Sequence, residues 1–231
     1  MIGVLVNTVA VIVGSLIGMI FKKAIPKKIT DGIMVAIGLC VIYVGVDGSL
    51  KGTNAVIAVV SMAIGGAIGT AIDIDKQLRR LGEWGERRFK KKKGEQSISE
   101  GFVSGSLVFC MGAMAIVGSL NSGLGVSGGL ETIYTKSALD LISSTVLATG
   151  MGFGVMLSAI FVFVFQGGIV LLAGVIAPIL TETMIAEITC VGSLIIIALG
   201  LNIIGVSKIK IANYTPALII APIATFIASL I

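Results

Sequence analysis

Long apolar windows separated by short polar or charged connections set the rhythm of this chain. The windows at 1–21, 53–72 and 101–118 carry no charged side chain. Each falls within the roughly 17–25 residues that cross about 30 Å of hydrocarbon as a helix. No stretch alternates apolar and polar residues as a barrel strand would. A backbone in lipid must satisfy its own hydrogen bonds, so the pattern predicts helices. The first four crossings are predicted at about 2–21, 29–46, 55–72 and 101–120, and the last two at about 185–206 and 214–231. Between them, Leu141 to Thr181 gives 41 residues without a charge, too long for one ordinary crossing. Either the chain turns at Gln166 to Gly168 and crosses twice, or it breaks at Gly150 to Gly154 into a re-entrant half and one long helix.

Charge placement favours two crossings. Of 17 Lys and Arg, four lie in "KKAIPKK", nine between Lys76 and Lys93 and two in "SKIKIAN", leaving Lys51 and Lys136. With the N-terminus outside and eight crossings, all three basic connections fall on the cytoplasmic side, as the positive-inside rule requires. The fold class expected is therefore all-α: a polytopic transmembrane bundle of about eight helices in the plasma (inner) membrane. With 56% hydrophobic residues and a mean hydropathy of +1.09, the composition is that of a membrane protein. The first window precedes its lysines, the reverse of a cleavable signal, and reads as a retained helix.

Two segments echo each other. "ITDGIMVAIGLCVIYVGVDGSL" and "ITCVGSLIIIALGLNIIGVSKI" share Ile-Thr, an apolar run, Gly-Leu and a later Gly-Val. Each sits second in a group of three crossings, and the two groups start on opposite sides. This is a three-plus-two-plus-three plan with an inverted repeat, as in many secondary transporters. A chance likeness of two Leu/Ile/Gly-rich helices is the alternative. The corresponding division of the single integral domain 1–231 is a first repeat at 1–72, a cytoplasmic basic segment at 73–100, central helices with an outer loop at 101–166 and a second repeat at 167–231. Gly65-Gly66, Pro216 and Pro222 are candidate helix breakers. Gly14/Gly18, Gly65/Gly69 and Gly101/Gly105 are G-x-x-x-G pairs that let helices approach closely, within the chain or in a homo-oligomer.

Candidate chemistry is sparse. The chain has no His, and Cys40, Cys110 and Cys190 lie far apart in apolar windows. No cofactor or metal site is therefore expected, and no enzyme motif such as G-x-S-x-G is present. On a helix, Lys136 and Asp140 are i and i+4, and Ser143 and Ser144 continue that face. Ionisable residues in such a place mark a site facing the bundle or a cavity. The alternative is a surface lysine that snorkels while Asp140 caps the helix start. Asn7 and Asn202 sit inside apolar helices and either bond neighbouring helices or line a pathway. Gln166 reads as a turn residue. From Lys76 to Lys93, Leu78, Leu81, Gly85 and Phe89 form one stripe of a basic amphipathic helix. Its expected partner is anionic headgroups of the lipid bilayer rather than nucleic acid.

"GVLVNTVAVIVGSLIGMIF", "FVSGSLVFCMGAMAIVGSLNSGL", "TKSALDLISSTVLATGMGFGV" and "VGSLIIIALGLNIIGVSKIKIANYTPALIIA" together resemble the YqgA/YdfK-type membrane proteins, the domain of unknown function 554 family. The resemblance implies a multi-pass bacterial-type inner-membrane protein. The family's Lys-Ser and Leu-Asp pattern is matched at Lys136, Ser137, Leu139 and Asp140, and its Leu-Asn-x-Gly pattern at Leu120, Asn121 and Gly123. Where relatives continue with Gly-Asp, this chain reads "GLGVSGG". The function expected is a secondary transporter or permease for a small polar or ionic solute, ion- or proton-coupled at Asp140 with Lys136. Asn121, Ser143, Ser144 and Asn7 would line the site. The alternative is a non-transporting membrane sensor or scaffold acting through its basic cytoplasmic segment.

Overall fold

The computed structural model describes residues 1–24, 27–77, 80, 98–110, 113–125 and 129–230. Among them there are helices and turns but no strand. The helices are α1 (Ile2–Ala24), α2 (Lys27–Ser49), α3 (Ala55–Ile72), α4 (Ile98–Cys110), α5 (Ala113–Gly123), α6 (Gly129–Met151), α7 (Phe153–Leu171), α8 (Ala173–Ile176), α9 (Glu182–Ile203) and α10 (Ala217–Ala228), with a 3₁₀ turn at Ile211–Tyr214. Five of the described spans are long and apolar enough to cross a membrane: those of α1, α3, α7, α9 and the 3₁₀ turn with α10. There are six if α4 and α5 form one bent span. The predicted amphipathic stripe from Leu78 to Phe89 lies outside the described residues.

The chain divides into two compact units. The first comprises Met1–Met34, Arg79–Cys110 and Met114–Ala177. Here α1 is the central element, packed on α6 and α7, while α4 packs on α7. Glycine makes the α1/α6 approach close. A Cβ at Gly14 would fall on the Leu141 carbonyl and the Ser144 hydroxyl, and one at Gly18 on the Thr145 carbonyl. Gly3 meets Ile133, so α1 and α6 run parallel. α7 returns antiparallel, with Gly167 beside Met1 and Val4. Val4, Val11, Ile133, Val155 and Val162 are fully buried in this unit.

The reversal between α6 and α7 takes a single residue, Gly152, at φ 65° and ψ −140°. Only glycine visits that region without strain. The turn expected at Gln166 to Gly168 is not there: α7 runs uninterrupted through all three residues.

The second unit comprises Val35–Leu78, Met111–Ala113 and Pro178–Ile231. Its core is Ala58, Cys190, Val191, Ala217 and Ala221, flanked by Met62, Ile188, Leu194 and Leu218. α3 starts at Asn54, whose side chain accepts the Val56 amide proton, and ends at Asp73 in the left-handed conformation, φ 50°. α9 starts at Thr181, which accepts from the Met184 amide. Gly65 and Gly66 do not break α3; they bring it against Ala217 and Tyr214. Pro222 lies inside a continuous α10, and Pro216 stands at its N-cap. After α9, Asn202 ties the loop down: its oxygen accepts from Ser207 Oγ and the Ile209 amide, and its nitrogen donates to the Ile209 carbonyl. At the surface Lys210 Nζ pairs with Asp73 Oδ1 at 3.2 Å. That hydrogen-bonded ammonium holds the Asp73 carboxyl below the usual carboxylate range.

Candidate functional site

The polar centre of the first unit is built by three helices. Lys136 and Asp140 lie one turn apart on α6, 5% and 6% exposed, with Lys136 Nζ paired to Asp140 Oδ2. The expected stripe thus points into the unit, and Lys136 does not snorkel to a surface. From α1, the fully buried Asn7 donates through Nδ2 to Asp140 Oδ2 at 3.0 Å and to Gln166 Oε1 at 3.1 Å. The close approach allowed by Gly14 and Gly18 is what brings α1 near enough for a short amide to reach the carboxylate.

Two polar atoms of this cluster remain without a protein partner. Asn7 Oδ1 is a buried acceptor and Gln166 Nε2 a buried donor. Leaving such groups unmatched costs about 1–3 kcal/mol each. The cluster can therefore hold a small molecule or ion that accepts from Gln166 and donates to, or coordinates, Asn7. The buried pair supplies one fixed positive and one fixed negative charge beside it.

The other expected residues are placed less centrally. Ser144 is buried but donates to the Leu141 carbonyl and lies against Gly14, a packing position between α1 and α6. Ser143 is half-buried on the same helix. Asn121 ends α5 and abuts Gly129, about 16 Å along α6 from Asp140 at 1.5 Å per residue. Asn202 is a loop clamp in the second unit. Sequence reasoning assigned Gln166 to a turn; its position two turns inside a glycine-containing apolar helix was the missed signal.

It also passed over Glu187, read as part of an acidic connection. This carboxylate sits on α9, fully buried. Its Oε1 accepts from Thr53 N at 2.7 Å, Thr53 Oγ1 at 2.8 Å and Asn54 N at 2.9 Å. The available signal was its place in the second turn after the Thr181 cap, just before 20 uncharged residues.

An all-helical chain with several membrane-length apolar helices and an ion pair buried among them is a membrane protein of the polytopic kind. The profile of the family described as "Protein of unknown function (DUF554)" matches residues 2–226, and the chain belongs to that family. It is similar to the "Uncharacterized membrane protein YdfK" of Bacillus subtilis (strain 168), 34% identical over 98% of this chain and 96% of that protein. It is also similar to the "Uncharacterized protein YqgA" of Escherichia coli (strain K12), 26% identical over 95% of this chain and 94% of that one. No solved structure matches the chain.

Proposed function

We propose that this protein is a small secondary transporter or permease for a small polar or ionic solute, coupled to an ion or proton through Asp140. The observation that carries the reading is the Lys136–Asp140 pair, buried and joined through Asn7 to Gln166. Charges inside a membrane bundle are costly and are kept where they act. On this reading no covalent chemistry is performed, and the basic segment from Lys76 to Lys93 rests on anionic headgroups. The chain lies in the plasma (inner) membrane with its N-terminus outside and its basic connections cytoplasmic.

The architecture proposed is eight crossings. α2 and α6 have 23 residues each, about 34 Å at 1.5 Å per residue, and are of spanning length despite their polar residues. Supporting the inverted repeat, the matched glycines of the two echoing segments lie against each other. A Cβ at Gly38 of α2 would meet Ile204 and the Gly200 carbonyl, and one at Gly200 of α9 would meet Ile42 and the Gly38 carbonyl. Such reciprocal contact is what a two-fold relation between antiparallel helices produces.

The test is uptake into proteoliposomes of solutes that raise the thermal midpoint of the purified protein in a screen of amino acids, organic acids and inorganic ions. Asp140→Asn is expected to bind but to lose coupled accumulation. Unchanged accumulation by that variant would remove Asp140 from the coupling role.

A further inference from the structure

The second unit contains a buried acid that the transport reading does not use. Glu187 spends Oε1 on three donors from the turn before α3, but its Oε2 is fully buried and has no hydrogen-bond partner. Gly52 stands over that oxygen: a Cβ there would come within 3.5 Å of it. Among the described residues no basic side chain pairs with Glu187. The nearest lysine in sequence, Lys51, is exposed and paired with Asp47 at 3.3 Å. A tether for the start of α3 needs only the one oxygen that is used. The second oxygen is a buried negative end with nothing opposite, the arrangement that burial penalises most.

Beside it lies an open cleft of about 680 Å³, lined in part by Thr53, Thr181, Thr183, Met184, Thr225 and Ser229. Thr53 belongs to both, and Thr183 and Met184 lie one turn before Glu187 on α9. The hydroxyl hydrogens here are directed away from the cleft. Thr53 Oγ1 donates to Glu187, Thr225 Oγ1 to the Ala221 carbonyl and Ser229 Oγ to the Phe226 carbonyl. What these groups keep free is oxygen lone pairs. None of the residues lining the cleft is basic, and the exposed Glu182 stands at the start of the same helix. Anions are disfavoured there, and hard cations are favoured by oxygen donors.

The geometry points to a monovalent cation site, of the Na⁺ class, formed by Glu187 and the hydroxyl-lined cleft beside it. One carboxylate matches a single positive charge. The hydroxyl oxygens replace water around the ion, and the bound cation neutralises Oε2. Thr53 links the site to the start of α3, so occupancy secures the turn between α2 and α3. The site does not depend on Asp140 or on transport.

Purified full-length protein is heated in choline chloride, NaCl or KCl at equal ionic strength. NaCl is expected to raise the thermal midpoint of the wild type over choline chloride, progressively with concentration. Glu187→Gln keeps an oxygen for the three donors and is expected to abolish the rise. An equal rise in KCl supports a monovalent site without selectivity. An equal NaCl rise in wild type and Glu187→Gln, or none in the wild type, overturns the assignment. Should the variant fail to fold, dicyclohexylcarbodiimide labelling of the wild type decides, with the adduct mapped by mass spectrometry. NaCl, and not choline chloride, is expected to slow modification at Glu187; identical rates in both salts overturn the site. Neither readout involves uptake, so failure of the transport reading would not mimic failure here.

Discussion

Asp140 and Glu187 are both carboxylates buried within apolar helices, yet each unit settles its acid differently. Asp140 has a cation of its own in Lys136, one turn away, and an amide from α1. Glu187 has three neutral donors on one oxygen and nothing on the other. A fixed partner makes the first acid part of a permanent dipole that can orient a solute. The lack of one leaves the second acid open to an exchangeable charge. The sequence neighbourhood of each acid decides this: a lysine four residues before Asp140, an apolar helix after Glu187.

The sharpest way to break the contrast is to remove the fixed cation. Lys136→Met leaves Asp140 without its cation, and the expected destabilisation is about 3–5 kcal/mol, the cost of splitting a buried pair. It is read as a fall in thermal midpoint and in monodisperse yield. Adding Asp140→Leu should recover most of the loss, since an apolar replacement of both partners removes the unpaired charge. Wild-type stability in the single variant would show that the pair is not what holds this site.

A smaller effect compares the neutral donors. Asn7→Leu removes both bonds of the bridge between Asp140 and Gln166, with an expected loss of about 1–3 kcal/mol. Thr53→Val removes one of three donors to Glu187 and leaves two backbone amides, so about 1 kcal/mol is expected. Urea or thermal unfolding of the two variants side by side orders them. A larger loss for Thr53→Val would mean that Glu187 depends on its hydroxyl donor more than Asp140 on its amide.

The smallest effect belongs to an acid outside either site. Asp73 is held below its ordinary range by Lys210, so the folded state binds a proton there less readily than the unfolded chain. The stabilisation is present above the unfolded value and is lost as pH falls through the lowered folded one. Lys210→Ala should flatten this acid-side slope slightly and leave neutral-pH behaviour unchanged, because a surface pair contributes little. A midpoint-against-pH series from about pH 3 to 6, the range around ordinary carboxylate pKa values, checks it.

What could be read from residues alone follows from how local the cause is. The uncharged windows become α1, α3, α9 and α10 because each helix satisfies its backbone alone. Lys136 and Asp140 share a face because a spacing of four fixes it on any helix. The reversal was harder to read. Gly150, Gly152 and Gly154 are alike in sequence, but only Gly152 takes positive φ. Gly154 lies against the Ile98 carbonyl and Gly150 against the Met34 side chain. Gly167 and Gly168 resemble a turn in the same way, yet in α7 they remain helical. Gln166 and Glu187 were missed for one reason: their roles depend on Asn7, 159 residues away, and Thr53, 134 residues away. No local pattern encodes those partners.

Gly152 has a consequence for how the nascent chain enters the bilayer. With one residue between them, α6 and α7 cannot be released into lipid one after the other; they must partition as a hairpin. α7 carries no charged side chain, whereas α6 carries Glu131, Lys136 and Asp140. Charged residues near a helix centre oppose translocon-mediated insertion by roughly 2.5–3.5 kcal/mol each. The greasy partner therefore draws the polar one in, and the lysine and aspartate travel as a pair of zero net charge. On this account a linker spliced in at Gly152 would separate the two events and strand α6 outside the membrane, however well the finished protein could accommodate it.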